Sequence, residues 1–238
     1  MALILNLETA SPACSVSLCR DGQVIGFRES TGDRSHATRL TGFIQELLEE
    51  FHLTADNLDA ISVSTGPGSY TGLRIGASVA KGLAYGAGLP VIGIPTLKAL
   101  ANGYRLNPLH ADIMAASELP VLLCPMLDAR RMEVYSAFYD TGLNEISPVE
   151  AVVLEAGSFT EILDHHLVCF FGTGSDKAAE IIVHSNARFF PGIELSAAFQ
   201  SGPAEALFTA GEFMDTAYFE PHYLKEFIAS IPKNKVLG

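Results

Sequence analysis

The stretch that decides the fold is Gly66-Pro67-Gly68-Ser69-Tyr70-Thr71-Gly72-Leu73-Arg74-Ile75-Gly76. It follows an apolar run at 58–64 that is typical of a strand, and it opens a helix predicted at about 71–85. Glycines at such a turn let the backbone approach a ligand, and the helix amides could hold an anion. The alternative is a tight turn in which Ser69 or Thr71 caps the helix, and the residues alone favour it. The glycine spacing fits neither a dinucleotide fingerprint nor a Walker A loop.

Working outward from this turn, the first half of the chain has the pattern strand, strand, strand, helix, strand, helix, strand, helix. The strands are predicted at 2–9, 14–19, 24–27, 58–64 and 90–94. The first helix has an apolar face from Leu40 to Phe51 with Asp33 or Ser35 as its cap, and the third helix is predicted at 96–104.

The second half repeats the opening of this pattern. Strands are predicted at 120–127, 132–139, 149–154 and 167–171, and helices at 158–165 and 175–183. The strand at 167–171 runs into Gly172-Thr173-Gly174, a second glycine-containing loop that opens a helix. This repeat predicts an α/β fold of the actin-like and Hsp70-like ATPase superfamily, with two ribonuclease-H-like lobes. We expect the first lobe at 1–105 plus a C-terminal helix at about 203–217, the second lobe at 106–200, and a tail at 218–238.

Composition and charge limit the possible functions. The chain has 238 residues and a formal charge of −12, and an acidic surface of this kind repels phosphate backbones. If the protein acts on RNA, a partner must therefore hold the RNA. No apolar run is long enough to cross a bilayer, and the N-terminal run at 2–7 is typical of a buried strand, so a cytoplasmic location is expected. The four cysteines form no C-x-x-C pair and are expected to be buried, reduced thiols.

Five segments, spread over nearly the whole chain, resemble the TsaB (YeaZ) family. They are Leu5-Asn6-Leu7-Glu8-Thr9-Ala10, the stretch 66–76, Ala80-Lys81-Gly82-Leu83-Ala84, Asp128-Ala129-Arg130-Arg131 with Glu133-Val134-Tyr135, and Pro221-His222-Tyr223-Leu224-Lys225. The family usually has arginine where this chain has Lys225. The resemblance implies a dimerisation subunit of the bacterial tRNA threonylcarbamoyladenosine synthase complex.

The resemblance also implies partners and the absence of a catalytic centre. A paralogue, TsaD, would carry the catalytic metal, an ATPase, TsaE, would be a third component, and tRNA would be contacted only through the complex. In TsaD a His-x-x-x-His pair follows the corresponding strand, and two histidines at this spacing lie on one helix face and can bind one ion. The matching positions are Thr96 and Leu100, and leucine cannot bind a metal. We therefore expect no catalytic residue, no metal and no cofactor.

The residues at the ends of the first and fourth strands remain candidates for a vestigial phosphate loop. Glu8 stands where many actin-like ATPases have an aspartate that organises magnesium and phosphate. The candidates are Glu8, Thr9, Gly66, Gly68 and Ser69.

A stripe of small residues recurs every four positions along the second helix, at Gly72, Gly76, Ala80 and Ala84. Glycine inside a helix costs about 1 kcal/mol relative to alanine, so the stripe calls for a close neighbour. The neighbour could be this chain's own sheet or a partner's helix, and the geometry does not choose between them. The family resemblance favours the partner, as a homodimer when the chain is alone. The predicted interface residues are Ala37, Thr41, Gln45, Leu73, Gly76, Ala77 and Ala80.

Two other functions stay open. An actin-like ATPase or kinase acting on its own would bind nucleotide between the lobes. A metallopeptidase would need a metal site, and the sequence has no His-Glu-x-x-His motif.

Overall fold

The computed structural model describes residues 2–31 and 36–224, so the predicted helix caps Asp33 and Ser35, and Lys225 of the last motif, lie outside the described residues. The strands are β1 (Leu3–Glu8), β2 (Ala13–Arg20), β3 (Gln23–Thr31), β4 (Ala60–Gly66), β5 (Val91–Pro95), β6 (Val121–Asp128), β7 (Glu133–Ser136), β8 (Glu150–Val153), β9 (Leu167–Phe171) and β10 (Ala187–Phe190). The helices are α1 (His36–Glu50), α2 (Tyr70–Ala87), α3 (Thr96–Arg105), α4 (Pro108–Ala116), α5 (Thr160–Leu163), α6 (Ser175–Ala179) and α7 (Ser201–Ala210).

Two five-stranded sheets share one topology. The first has the order β3-β2-β1-β4-β5 and the second, read from the other edge, β8-β7-β6-β9-β10. In each sheet, the first three strands in chain order pair antiparallel, and the next two lie parallel to the first. The predicted repeat and the α/β actin-like fold are therefore confirmed, while the division of the chain at residue 105 stays a prediction.

Some predicted elements differ from the observed ones. The strand predicted at 132–139 ends at Ser136, and Tyr139 instead forms a separate bridge to Leu123 of β6. The last helix, predicted at about 203–217, ends at Ala210 because Gly211 adopts a left-handed conformation with φ 71°. Strand β10 and helix α4 had no predicted counterpart, and no residue of α4 is buried.

The first sheet is covered on both faces. On one face α1 and α2 pack against it, and the apolar positions Leu40, Ile44 and Leu47 of α1 are buried as the spacing predicts. On the other face α7 packs against β1 and β5 and contributes Ala204 to a smaller core. Because both faces are covered, β1 is buried along its whole length.

The two lobes share a continuous apolar core. Helix α3 lies between the sheets, and its Leu97, Leu100 and Tyr104 are fully buried in a cluster with residues of β6 and β9. The Tyr104 ring stacks on Phe171 with centroids 4.6 Å apart and planes 7° from parallel. This burial holds the lobes together through packing as well as through the chain connections.

Two further expectations can be compared with the described residues. All four cysteines are free and buried, as predicted. Within residues 2–31 and 36–224, no helix combines the length and the apolar character that a bilayer crossing requires.

Candidate functional site

Glu8, at the end of β1, is an internal link and is not open to a ligand. It is fully buried. One carboxylate oxygen accepts a hydrogen bond from the Ala10 amide at 2.7 Å, and the other accepts bonds from Ser64 Oγ and from Gln200 Nε2. Burial raises the pKa of the Glu8 carboxyl, although these hydrogen bonds act in the opposite direction. The carboxylate therefore ties β1, β4 and the start of α7 together.

Thr9 closes the space between β1 and α2. Its hydroxyl donates to the carbonyl oxygen of Gly72 at 2.7 Å. A Cβ atom built on Gly72 would clash with the Thr9 carbonyl oxygen, and one on Gly76 would lie 2.5 Å from Thr9 Oγ1. The two glycines are therefore required by contact with the chain's own sheet.

This contact corrects the predicted interface. Leu73, Gly76, Ala77 and Ala80 all lie on the buried face of α2. Ala80 is fully inaccessible and Leu73 is 1% exposed, so neither can contact a partner. The small-residue stripe faces the first sheet. Helix geometry alone had not distinguished this arrangement from packing against a partner's helix.

Two amides of the loop at 66–71 also donate hydrogen bonds within the fold. The Ser69 amide donates to the Ala10 carbonyl at 2.7 Å, and the Gly66 amide donates to Thr96 Oγ1 at 3.1 Å. Ser69 Oγ accepts from the Gly72 amide at 3.2 Å and caps α2. This is the tight turn that the residues alone favour. Gly68 and Ser69 line a cleft, but the Ser69 amide is bonded to Ala10 and does not point into that cleft.

That inter-lobe cleft has a volume of about 820 Å³ and lies between the two glycine loops. One wall is formed by Ala10–Pro12, Pro67–Thr71 and His222–Leu224, and the facing wall by residues 127–131 with Glu133, Tyr135 and Thr173. Arg130 and Arg131 are exposed in the turn between β6 and β7, and both have positive φ.

Lys177 of α6 holds this turn in place. Its Nζ atom donates to Asp128 Oδ1 at 2.6 Å, to the Arg131 carbonyl at 2.9 Å and to the Glu133 carbonyl at 2.6 Å. Burial alone would raise the pKa of the Asp128 carboxyl, but the bonds from Lys177 and from the Arg130 amide outweigh it, and the pKa is lowered. The Asp128 motif therefore forms a structural ion pair with Lys177, and the sequence alone did not identify this partner.

The two positions that would carry a histidine pair in TsaD are occupied here by buried side chains. Thr96 and Leu100 are both fully buried, and Leu100 lies in the core between the lobes, against Gly172. Among the residues that the structure describes, no group of three histidine, cysteine or acidic side chains is placed to hold a metal ion.

The outer surface of the first lobe carries an apolar groove between α1 and α2. Its larger part, of about 480 Å³, is lined mainly by apolar side chains and is bordered by Thr41 and Gln45. A second part, of about 370 Å³, continues toward the N-terminus of α2 and is bordered by Ala37, and Val79 lies in both parts. We refer to the two parts together as the α1–α2 groove.

The predicted α1 residues and the residues that sequence reasoning missed both border this groove. Ala37, Thr41 and Gln45 are exposed, and their role in pairing stays a prediction. The missed residues are Ile75, Val79 and Leu83, all partly buried. The sequence contained a pattern that could have identified them. Ile75, Val79 and Leu83 recur every four residues and form an apolar row on α2 beside the small-residue stripe.

The model of the family described as "TsaD: tRNA N6-adenosine threonylcarbamoyltransferase" matches residues 26–156, more than half of the chain. The tRNA threonylcarbamoyladenosine biosynthesis protein TsaB of Escherichia coli is 38% identical over 60% of this chain and 57% of its own length. The protein of the same name from Haemophilus influenzae is 38% identical over 56% of this chain and 51% of its own length. The chain thus spans less than two thirds of these curated relatives.

The solved structures agree with the sequence relatives. YeaZ from Pseudomonas aeruginosa superposes with a TM-score of 0.76 at 25% identity, covering 94% of this chain and all of that chain. The chain belongs to the TsaB (YeaZ) family, within the wider family that the TsaD model describes.

Proposed function

We propose that this chain is a non-catalytic, cytoplasmic subunit of the machinery that makes threonylcarbamoyladenosine in tRNA. It binds and organises a TsaD-like catalytic paralogue. The names of the relatives from E. coli and H. influenzae and the transferase model that matches residues 26–156 support this assignment.

The observation that carries the proposal is the burial of Leu100 in the core between the lobes. A hydrocarbon side chain packed there leaves no room for a metal and supplies no ligand to one. The amide of Ser69 also donates a hydrogen bond within the fold, so it is not available to bind a phosphate. Catalysis must then be supplied by another subunit.

The α1–α2 groove is the surface we assign to the paralogue. It is apolar, its exposed border includes the polar residues Thr41 and Gln45, and it lies between the two long helices α1 and α2. An apolar centre with a polar rim is the usual anatomy of a protein interface. In the absence of the paralogue, two copies of the chain would pair through the same surface, as a two-fold symmetric homodimer does.

The acidic character of the chain separates this role from tRNA binding. A net charge of −12 opposes contact with a phosphate backbone, so the paralogue holds the tRNA and this chain contacts it only through the complex. A TsaE-like ATPase is the third component.

The test of this proposal is a binding measurement with the TsaD-like protein of the same organism. Sedimentation of the two proteins, alone and mixed, should show a homodimer of this chain that is replaced by a mixed complex. Val79→Arg should strongly reduce the amounts of both the homodimer and the mixed complex. If the two proteins sediment independently at micromolar concentration, the assignment of the partner is wrong.

The inter-lobe cleft supports one other candidate, a nucleotide-binding protein that acts alone. Its volume of about 820 Å³ falls in the range of small-molecule sites, and Arg130 and Arg131 lie at its rim. Calorimetric titration with ATP and magnesium decides between the two functions, because the subunit proposed above should release no heat of binding.

A further inference from the structure

Three exposed arginines lie around the mouth of the inter-lobe cleft. Arg130 and Arg131 lie in the β6–β7 turn on the second lobe, and Arg74 lies on α2 of the first lobe. We refer to these three residues as the arginine rim. In a chain whose formal charge is −12, a cluster of three cations is a local reversal of the prevailing charge.

The β6–β7 turn holds two of these arginines in a backbone conformation that residues with a side chain rarely adopt. The φ angle is 70° at Arg130 and 51° at Arg131, in the left-handed region that favours glycine. Lys177 fixes the turn through its bonds to Asp128 and to the Arg131 carbonyl. Unfavourable backbone conformations that are held by surrounding contacts cluster at binding sites.

The side chains of Arg130 and Arg131 form no hydrogen bond or ion pair in the part of the chain that the structure describes. The two nearby carboxylates are engaged elsewhere. Asp128 is bonded to Lys177, and Glu133 has an interaction of its own. The two guanidinium groups can therefore bind carboxylates that another molecule supplies.

The cleft is continuous with the α1–α2 groove. Tyr70 and Thr71 line both spaces. Arg74 lies at this junction, where its Nη1 atom donates to the Tyr70 hydroxyl at 3.1 Å. A partner that covers the groove up to the N-terminus of α2 therefore reaches the mouth of the cleft and the arginine rim.

The chemistry of the cleft favours a polypeptide segment with carboxylates over a phosphorylated ligand. Ala10, Pro67 and Leu127 supply apolar surface in its walls. An arginine binds a carboxylate through two parallel hydrogen bonds. The Ser69 amide is not available to a phosphate, because it donates to the Ala10 carbonyl. RNA is disfavoured because the chain as a whole is acidic and three arginines neutralise few phosphates.

We propose that the partner seated in the α1–α2 groove carries an acidic segment that extends into the inter-lobe cleft and binds Arg130 and Arg131. This inference rests on the function proposed above and identifies a second contact of the same partner. The groove supplies apolar contact with the first lobe, and the arginine rim joins the partner to the second lobe. The charge of the rim selects this partner from proteins with a similar apolar surface.

The test measures the affinity of the full-length chain for the TsaD-like protein of the same organism at increasing concentrations of sodium chloride. Arg131→Glu should weaken binding about fivefold, and Arg130→Glu combined with Arg131→Glu about 20-fold, because attraction is replaced by repulsion. Salt should weaken binding of the parent chain more than binding of the double variant. Arg20→Glu is the matched control. Arg20 is exposed at the far end of β2, where it pairs with Leu3, and its change should not alter the affinity.

A second pair of substitutions separates the loss of charge from a loss of structure. Arg130→Gly combined with Arg131→Gly removes both guanidinium groups and places glycine where φ is positive, so the turn can keep its conformation. This variant should bind the partner about fivefold more weakly than the parent chain. Its temperature of unfolding should not be lower.

Photocrosslinking identifies the segment that occupies the cleft. Met132 lies in the same turn and is 41% exposed. A photoreactive phenylalanine analogue in place of Met132 should form crosslinks to a stretch of the partner that contains several aspartates or glutamates. Mass spectrometry of the crosslinked peptides reads this directly.

The outcomes separate this inference from the function on which it rests. A parent chain that does not bind the TsaD-like protein would overturn both. Binding that Val79→Arg weakens and the changes at Arg130 and Arg131 leave unaltered would overturn the inference alone. Crosslinks to a segment without carboxylates would also overturn it. So would binding of ATP with magnesium, or of a tRNA transcript, to the isolated chain that is lost with Arg130→Glu, since the rim would then serve another ligand.

Discussion

Helix α2 has two faces that differ in what they contact and in what they can do. Its inner face carries Gly72 and Gly76, which lie so close to Thr9 that a side chain would not fit, together with the buried Ala80. Its outer face carries Ile75, Val79 and Leu83 in a groove that the rest of the described chain leaves open. The glycines hold the helix against its own lobe, and the apolar row beside them is available to another protein.

A stripe of small residues therefore indicates close packing but does not identify the neighbouring element. Neither row contains a charged or polar side chain, so only the folded arrangement of the lobe tells which side is covered. Substitutions on the two faces should therefore act on different quantities, stability for the inner face and partner affinity for the outer one.

The largest effect is expected from Gly72→Ala. The added methyl group would collide with the Thr9 carbonyl oxygen, which belongs to the backbone of a buried strand end and cannot move aside. Forced overpacking of this kind should lower the free energy of unfolding by about 3 kcal/mol in urea titrations. Gly82→Ala is the matched control, since nothing lies within 4 Å of its added atom. It should raise stability by about 1 kcal/mol or less, and equal losses for both variants would contradict the assignment of the faces.

On the outer face, Val79→Arg should weaken binding of the TsaD-like partner about 100-fold, equivalent to about 2.7 kcal/mol. A guanidinium placed in the apolar groove would be buried without a partner charge, which is unfavourable. Val183→Arg makes the same change at a valine that is 91% exposed on the second lobe and should not alter affinity. Titration followed by light scattering or calorimetry measures both. Unchanged affinity for Val79→Arg would show that the partner does not bind at the α1–α2 groove.

A smaller effect is expected at the cleft from Lys177→Ala. The variant loses the three hydrogen bonds from Nζ to the β6–β7 turn, while Asp128 keeps its bond from the Arg130 amide. Because the Asp128 side chain is about half exposed, solvent screens the ion pair, and the loss of stability should be about 1–2 kcal/mol. Thermal unfolding at low and high salt checks this. The apparent pKa of Asp128, followed by carbon NMR, should rise toward its ordinary value in the variant.

The smallest effect is a pH dependence at Glu8. Burial raises the pKa of this carboxyl in the folded chain above its ordinary value of 4.5. Between those two pKa values the folded state binds more protons than the unfolded state, so stability falls as the pH rises above about 4.5. Glu8→Gln should abolish this contribution, and the stability of the variant relative to the parent chain should therefore increase with pH. A constant difference between the two chains from pH 4 to 8 would show that the carboxylate is fully compensated by its hydrogen bonds.

Most of the fold could be read from periodicity. The strand at 167–171 and the apolar face of α1 follow from spacing because burial selects the same residues that form the element. Helix α4 could not be found in this way, since none of its residues is buried and no apolar face marks it. Strand β10 is short and lies at a sheet edge, where burial leaves only a weak pattern.

The candidate site was less predictable because it depends on contacts between distant residues. The leucine at position 100 is visible in the sequence, but its place in the inter-lobe core is not. Gln200 joins Glu8 and Ser64 across more than a hundred residues of sequence separation, and no local pattern reveals it. Lys177 likewise reaches the β6–β7 turn from α6, so the partner of Asp128 could be identified only in the folded chain.

The most direct test of the central claim is a tRNA threonylcarbamoylation assay with purified components, in which each protein is left out in turn. We expect no modified adenosine from this chain alone, full activity when the TsaD-like and TsaE-like proteins and the threonylcarbamoyl donor are present, and a loss of activity when this chain is omitted. Modification of tRNA by the isolated chain would contradict the account, because the buried Leu100 supplies no metal ligand.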